Sequence, residues 1–190
     1  LSFVSSVSSG SIASLMCQVD SGEAQSCMSQ SATFDGLSDG DHTFTVTATS
    51  SNGKTQQASN LFRKDSVAPV VSVSSTPATA TNQTSASFVF TATDTLSGVL
   101  RVECSLDNQV FATCVSPVNL TGLAMGARNF RIRALDRAQN TSLIYSYNWT
   151  IDLTVPTVIL SQTPLAVTNQ TTATFAFSGI GIVSYECSLD

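Results

Sequence analysis

The segment from Cys104 to Cys114, CSLDNQVFATC, restricts the possible folds of this chain more than any other. Its two cysteines are ten positions apart, and the turn-forming pair Asp107-Asn108 lies near the middle. Apolar and polar residues alternate over 101–106, which is the pattern of a half-buried strand. Because cross-strand Cβ atoms beside a turn lie about 4.5–5.5 Å apart, close to the separation that a disulfide needs, the sequence predicts a disulfide-linked β-hairpin.

The same segment occurs earlier and begins a third time at the end of the chain. Cys17 and Cys27 are again ten positions apart, and Cys187 follows Cys104 in a third copy that reads YECSLD. The first cysteines of the three copies are separated by 87 and 83 residues. A period of this size indicates tandem domains. Cys187 has no candidate partner in its own copy, so we expect its disulfide partner beyond the last residue.

The repeat divides the chain into three units, 1–69, 70–156 and 157–190, called units one, two and three below. The junctions Asp65–Pro69 and Asp152–Pro156 lack glycine and end in proline, which favours semi-rigid connectors. By repeat register, unit one lacks its first strands and unit three is the N-terminal part of a domain. Further sequence of the same polypeptide, or strands donated by neighbouring chains, would complete both units.

Unit two has the strand pattern of an antiparallel sandwich, with short strands, frequent turn signals and no helical period. Seven strands are predicted, at about 70–75, 85–93, 99–106, 109–114, 116–120, 128–135 and 142–152. The predicted core consists of Val71, Phe88, Phe90, Val102, Leu106, Phe111, Leu120, Leu123, Phe130, Ile132, Ala134, Tyr147 and Trp149.

Composition limits the possible partners and the compartment. Only 11% of residues are charged and the net charge is −5, so there is no electrostatic reason to bind nucleic acid or an anionic membrane. No apolar run reaches the roughly 18 residues of a membrane span. Five cysteines at matched spacings indicate an oxidising, extracellular compartment. A cysteine metal site is disfavoured because no CxxC pair is present.

No catalytic motif is apparent. His42 could serve as a general base, but it aligns with Arg128 of unit two, so this position tolerates a residue that cannot do so. We interpret His42 as a surface histidine at a strand edge. Because no GxSxG, HExxH or phosphate-loop motif occurs, the sequence predicts no enzymatic activity and no cofactor.

Three acidic residues could bind calcium between units, namely Asp65 and Asp152 at the junctions and Asp94 near Ser97 and Gly98. Calcium needs roughly six to eight oxygen ligands, and the sequence has no paired DxD run. Turn and capping roles are therefore favoured for these residues. The sequence predicts no metal site, with calcium at these aspartates as the alternative.

A basic patch is expected on unit two. Outward-facing arginines at alternate strand positions typically mark a solvated face that also discourages edge pairing. The functional alternative to a solvated face is a lateral contact with a neighbouring chain. The residues concerned are Arg101, Arg128, Arg131 and Arg133, with Arg137 close by.

Four motifs together resemble bacterial immunoglobulin-like tandem repeats: a YECSLD strand, a second cysteine ten residues later, a GL-x-x-G-x-x-x-F strand and a D-x-x-x-P junction. The resemblance implies an all-β chain of immunoglobulin-like sandwiches with about 87 residues per repeat. It also implies a stalk or spacer segment of a secreted or surface-anchored bacterial adhesin or fibre. Its partners would be neighbouring repeats and identical chains in a bundle, with any host or surface ligand bound by regions outside this segment.

Two other function classes stay open. Unit two could be a glycan- or protein-binding module of a secreted multidomain protein, which would need exposed aromatic residues at one end of the sandwich. Alternatively, the chain could be an accessory part of a secreted hydrolase, which would need a catalytic domain outside it. Fold alone does not decide between these classes and a stalk.

Overall fold

A computed structural model describes residues 11–189, which form fourteen strands in four sheets and no helix. The predicted all-β architecture of immunoglobulin-like sandwiches is therefore confirmed. The expected absence of the first strands of unit one depends partly on residues 1–10, which lie outside the described residues. The strand pairs observed in residues 11–189 are formed within 12–64, 70–151 and 157–180.

Unit one contains one antiparallel sheet with the strand order β2-β1-β3-β4. Its strands are β1 (Ile12–Val19), β2 (Gln25–Ser26), β3 (Gly40–Ser50) and β4 (Thr55–Lys64). Alternate residues of β1 and β3 face a small buried cluster because side chains of a strand point to opposite faces in turn. The buried members of this cluster are Leu15, Cys17, Cys27 and Val46, and Phe34, Phe44 and Ala48 pack against them.

Unit two is a sandwich of a three-stranded and a five-stranded sheet, ordered β10-β7-β5 and β6-β12-β11-β8-β9. One pairing is parallel, between β6 and β12. The sequence missed β6 because two residues are too short to show a period. The strands are β5 (Val70–Ser75), β6 (Ala80–Thr81), β7 (Ala86–Thr93), β8 (Val99–Leu106), β9 (Ala112–Thr113), β10 (Val118–Leu120), β11 (Gly126–Asp136) and β12 (Tyr145–Ile151).

An aromatic cluster joins the two sheets of unit two. The Phe88 ring from β7 stacks on Phe130 from β11 at a centroid distance of 4.3 Å, and it meets the edge of Trp149 from β12 at 5.5 Å. These rings bring large apolar area into one place and therefore dominate the packing energy. Seven residues of the predicted core are buried, namely Phe88, Phe90, Leu123, Phe130, Ile132, Ala134 and Trp149.

The prediction that Phe111 lies in the core was wrong. Phe111 is half-buried outside the core cluster, and it precedes β9 instead of lying within a strand. The guanidinium carbons of Arg131 and Arg133 lie 5.1 and 4.3 Å from its ring centroid. The ring therefore supports two cations on the outer surface. Ile151 is 1% exposed and takes a core position that the sequence did not assign.

Both expected disulfides are present in the structure. The Cα atoms of Cys17 and Cys27 are 5.9 Å apart, and those of Cys104 and Cys114 are 5.7 Å apart. The turn in unit two has positive φ at Asp107 (49°) and Asn108 (62°), and Gln109 N donates to Leu106 O at 3.0 Å. This is the type I′ geometry that matches the twist of a hairpin.

Unit three contributes two antiparallel strands, β13 (Thr157–Gln162) and β14 (Ala176–Ile180). Cys187 is an exposed free thiol. Most large apolar side chains of this unit are exposed, including Leu160 (59%) and Phe175 (48%).

We expect the double substitution Cys104→Ala and Cys114→Ala to destabilise unit two by about 2.5–3 kcal/mol, because it restores the entropy of a short loop in the unfolded chain. Trp149 is the single tryptophan and is 2% exposed, so its fluorescence during urea unfolding reports on unit two alone. Cys187→Ala is the matched control and should leave the transition unchanged. A double variant as stable as the parent would contradict this expectation.

Candidate functional site

The start of the linker between units one and two is held by an aspartate of unit one. Asp39 Oδ1 accepts hydrogen bonds from Lys64 Nζ (2.8 Å) and from Ser66 N (3.0 Å). Its Oδ2 accepts from Ser66 Oγ at 2.7 Å. Lys64 and then Ser66 lower the pKa of Asp39, so the carboxylate stays ionised and keeps accepting these bonds. The chain therefore leaves β4 in a fixed direction.

The next linker residue is held by unit two. Asp65 Oδ2 accepts from Ser97 N at 2.9 Å, and its Oδ1 accepts from Val67 N at 2.8 Å. Asn140 Nδ2 donates to the backbone carbonyls of Asp65 (3.1 Å) and Val67 (3.3 Å). Ser97 is the main cause of the lowered pKa of Asp65. Both the side chain and the backbone of Asp65 are thus bound to unit two.

One arginine bridges the two units directly. Arg63 Nη1 at the end of β4 donates to Leu96 O of unit two at 2.6 Å. Its Nη2 donates to Asp41 Oδ2 of unit one at 2.8 Å, and Arg63 lowers the pKa of Asp41. The guanidinium offers several donors in one plane, so it can bind both units at once.

The loop of unit two that meets the linker has a fixed shape. Asp94 Oδ1 accepts from Leu96 N (3.2 Å) and Gly98 N (2.7 Å). Gly98 has φ of 78°, a conformation that glycine adopts without a steric cost, and its carbonyl accepts from Arg137 N at 3.1 Å. The loop therefore presents Ser97 N and Leu96 O to the linker from a defined position.

The second junction is built differently. Asp152 Oδ1 accepts from Thr154 N (2.9 Å) and Thr154 Oγ1 (2.6 Å), and Thr154 lowers the pKa of Asp152. In the part of the chain that the structure describes, no hydrogen bond joins 152–156 to unit three. Thr150 stands where unit one has Arg63. The segment before the cysteine of unit three is also four residues shorter, so it lacks the loop that holds Asp65 at the first junction.

Two of the three aspartates considered for calcium come together at the first junction. One carboxylate oxygen of each of Asp65, Asp94 and Asp136 lies within 4.8 Å of those of the other two. Asp152 is not in this group. The sequence did not suggest Asp136, since the predicted strand ends at 135 and Ser50 occupies the corresponding position in unit one. The signal that could have identified Asp136 was a polar residue at the end of a core strand.

The basic patch contains its own counter-charges. Glu103 is 8% exposed and accepts from Arg101 Nε at 2.7 Å and from Arg133 Nε at 2.8 Å. Arg101 and then Arg133 lower the pKa of Glu103, although its burial opposes this. Arg131 Nη2 donates to Ser105 Oγ at 3.1 Å. A lateral contact through Arg101, Arg128, Arg131 and Arg133 stays a proposal.

The interpretation of His42 as a surface residue was wrong, because the side chain is only 6% exposed. His42 Nδ1 lies 2.7 Å from Asp20 Oδ2, and His42 Nε2 lies 2.8 Å from Ser38 O. The ring stacks on Phe62 at 5.3 Å. With both nitrogens beside oxygen atoms, the ring is suited to the protonated form, which donates twice.

Unit two repeats this arrangement with arginine. Arg128 Nη1 donates to Asp107 Oδ2 at 2.6 Å, and its Nη2 donates to Ala124 O at 2.6 Å. Asp107 Oδ1 also accepts from Asn129 N at 3.0 Å, as Asp20 Oδ1 accepts from the N–H of Thr43 at 2.8 Å. His42 therefore has the structural role in unit one that Arg128 has in unit two. The sequence held a signal for this pairing, because both units have a basic residue at this position and an aspartate at the hairpin turn.

Comparison with known proteins gives no family for this chain. No family model matches it, and no curated protein matches it. Its structure is similar to a solved structure of fibronectin(III)-like modules of CbhA from Clostridium thermocellum. The two chains are 16% identical with a TM-score of 0.46, over 77% of this chain and 82% of the other. Residues 11–189 contain no helix that is long and apolar enough to cross a membrane.

We expect the single histidine to titrate above its ordinary pKa of about 6.5, because Asp20 and then Ser38 raise the pKa of His42. A raised folded-state pKa stabilises unit one fully below the unfolded pKa, and this contribution is lost as pH rises through the folded value. Proton NMR titration of the one histidine measures the pKa directly. In His42→Arg, which copies unit two, the stability of unit one should no longer fall over this range. A pKa at or below about 6.5 would rule out the ion pair.

We expect Arg63→Ala to loosen the first junction without unfolding either unit, because Arg63 is exposed and its contact with Leu96 O crosses between them. Small-angle scattering should show a broader distribution of distances, while the melting temperature reported by Trp149 fluorescence should stay unchanged. Thr150→Ala at the corresponding position of the second junction is the control. An unchanged distribution in Arg63→Ala would show that the remaining linker contacts suffice.

Proposed function

We propose that this chain is a structural spacer, a stalk segment of a bacterial extracellular fibre or surface adhesin made of immunoglobulin-like units in series. The path of the chain through unit two carries this proposal. The chain enters beside Asp136, the last residue of β11, where Asp65 and Asn140 meet. It leaves after Ile151, which pairs with Gly126 at the first residue of β11. The two ends are therefore separated by about the length of β11, roughly 34 Å.

A spacer also needs units that keep their length under load. Each disulfide joins cysteines with a sequence separation of 10, so the chain between them cannot extend when the strands separate. The linker contacts of Asp39, Asp65 and Arg63 restrict bending at the first junction. The second junction has fewer contacts among the described residues, so the segment would combine a stiff and a more flexible connection.

The disulfides support an extracellular location, because such bonds persist in secreted and cell-surface proteins. We place the chain outside the cell, with neighbouring repeats as its main partners and identical chains as possible neighbours in a bundle. The chain needs neither cofactor nor catalysis for this role, and any adhesive specificity would belong to regions outside this segment. His42, which the sequence offered as a general base, instead binds Asp20 within unit one.

Single-molecule stretching of the whole chain tests the spacer function. Unit two should unfold in one step and leave the Cys104–Cys114 segment closed. Reduction should then lengthen this step by about 30 Å, because ten residues extend to roughly 33–36 Å and replace a Cα separation of 5.7 Å. The Cys104→Ala, Cys114→Ala variant is the control and should show the longer step without reductant. Extension of unit two without a distinct unfolding force would contradict the spacer function.

A further inference from the structure

We propose that the first junction holds a calcium ion between units one and two, bound by Asp65, Asp94 and Asp136. The three residues come from different parts of the chain: the linker, the loop after β7 and the end of β11. One carboxylate oxygen of each lies within 4.8 Å of the others. Ligands on opposite sides of a calcium ion are about 4.6–5.2 Å apart, so oxygens this close to one another can bind a single ion.

An unpartnered oxygen atom supplies independent support for a bound cation. Asp94 Oδ2 is sealed from solvent, with less than 1 Å² of accessible surface, and has no hydrogen-bond partner. The other oxygen of the same carboxylate accepts two backbone N–H groups. A buried polar atom without a partner is costly, and a cation at this position would remove that cost.

The three carboxylates form no salt bridge with a lysine or arginine among the described residues. Asp136 is fully buried, at 0% exposure, and Asn140 donates to its carboxylate through the backbone N–H (2.8 Å) and Nδ2 (2.8 Å). Asp65 is close enough to Arg63 to raise the pKa of its guanidinium, but the Arg63 nitrogens donate to Asp41 and Leu96 O. Carboxylates this close repel one another unless a cation lies between them.

The ligand chemistry favours calcium over transition metals. All three side chains are hard oxygen donors, without a histidine or cysteine among them. Three carboxylates can supply three to six oxygens, depending on how many bind through both atoms, and water can complete the shell of roughly six to eight. Calcium binding would add a ligand role to the turn contacts that Asp65 and Asp94 already make.

The arrangement is specific to this junction. At the second junction Asp152 corresponds to Asp65, but unit three is four residues shorter in the region of Asp94. In unit one, Ser50 stands at the position of Asp136. Calcium would therefore stiffen one junction of the chain and leave the other unaffected. The site depends on the geometry of the junction and not on the spacer function.

The test is calorimetric titration of the whole chain with calcium chloride, and with magnesium chloride for comparison. One calcium ion per chain should bind with a Kd of about 10⁻⁴–10⁻³ M, the range of extracellular modules. At roughly 10 mM calcium, the melting temperature of unit two should rise by about 6–20 °C. The absence of both effects would overturn the site, without bearing on the stretching experiment.

Asp94→Asn is the most informative variant because its amide oxygen can still accept the N–H groups of Leu96 and Gly98. We expect at least a tenfold loss of calcium affinity with the Trp149 environment retained. Asp152→Asn is the matched control and should bind like the parent. Asp65→Asn, outside the strands, provides a second variant if Asp94→Asn does not fold. Parent-like affinity in the folded aspartate variants, or loss of binding in Asp152→Asn, would place the ion elsewhere and overturn the proposal.

Discussion

In each of units one and two, the aspartate that follows the strand of the first cysteine holds several segments of the unit together. Asp20 and Asp107 have left-handed backbones, with φ of 52° and 49°, and so form the hairpin turns that bring the cysteines into register. Each carboxylate also accepts a backbone N–H from the next long strand, at Thr43 or Asn129. One residue therefore fixes the turn, the neighbouring strand and, through a basic side chain, the loop before that strand.

This constraint explains why the disulfides fit without a separate device to align them. In unit two the turn sets the pairing of Cys104 with Ala112, and Cys114 N then donates to Val102 O at 3.0 Å. Cys104 belongs to the same buried cluster as Phe130 and Ile132 of β11. The disulfide thus joins the hairpin to the sandwich core, and the core and hairpin stabilise each other.

The sequence predicted those features that leave a local pattern. The strand β5 was predicted with its observed bounds, 70–75, and the core positions of Phe88, Phe130 and Trp149 followed from alternation. The failures concern contacts between distant segments. Phe111 has an apolar side chain but supports two arginines from β11, and His42 is buried by an aspartate 22 residues earlier. No periodicity of the chain encodes such pairings. For the same reason, the sequence identified Asp65 and Asp94 of the acidic group but missed Asp136, which meets Asp65 only in the folded chain.

The two junctions differ in their contacts although both follow from units with the same strand pattern. The cores of units one and two are specified by alternating apolar residues and a disulfide, which these two units share. The junction contacts are specified by single residues outside this pattern, such as Arg63, Asp94 and Asn140. A junction with bridging hydrogen bonds and converging carboxylates resists bending, whereas a junction with only the local Asp152–Thr154 bonds resists it less. In the proposed spacer, the stiffness of each junction would therefore depend on residues that lie outside the repeated core pattern.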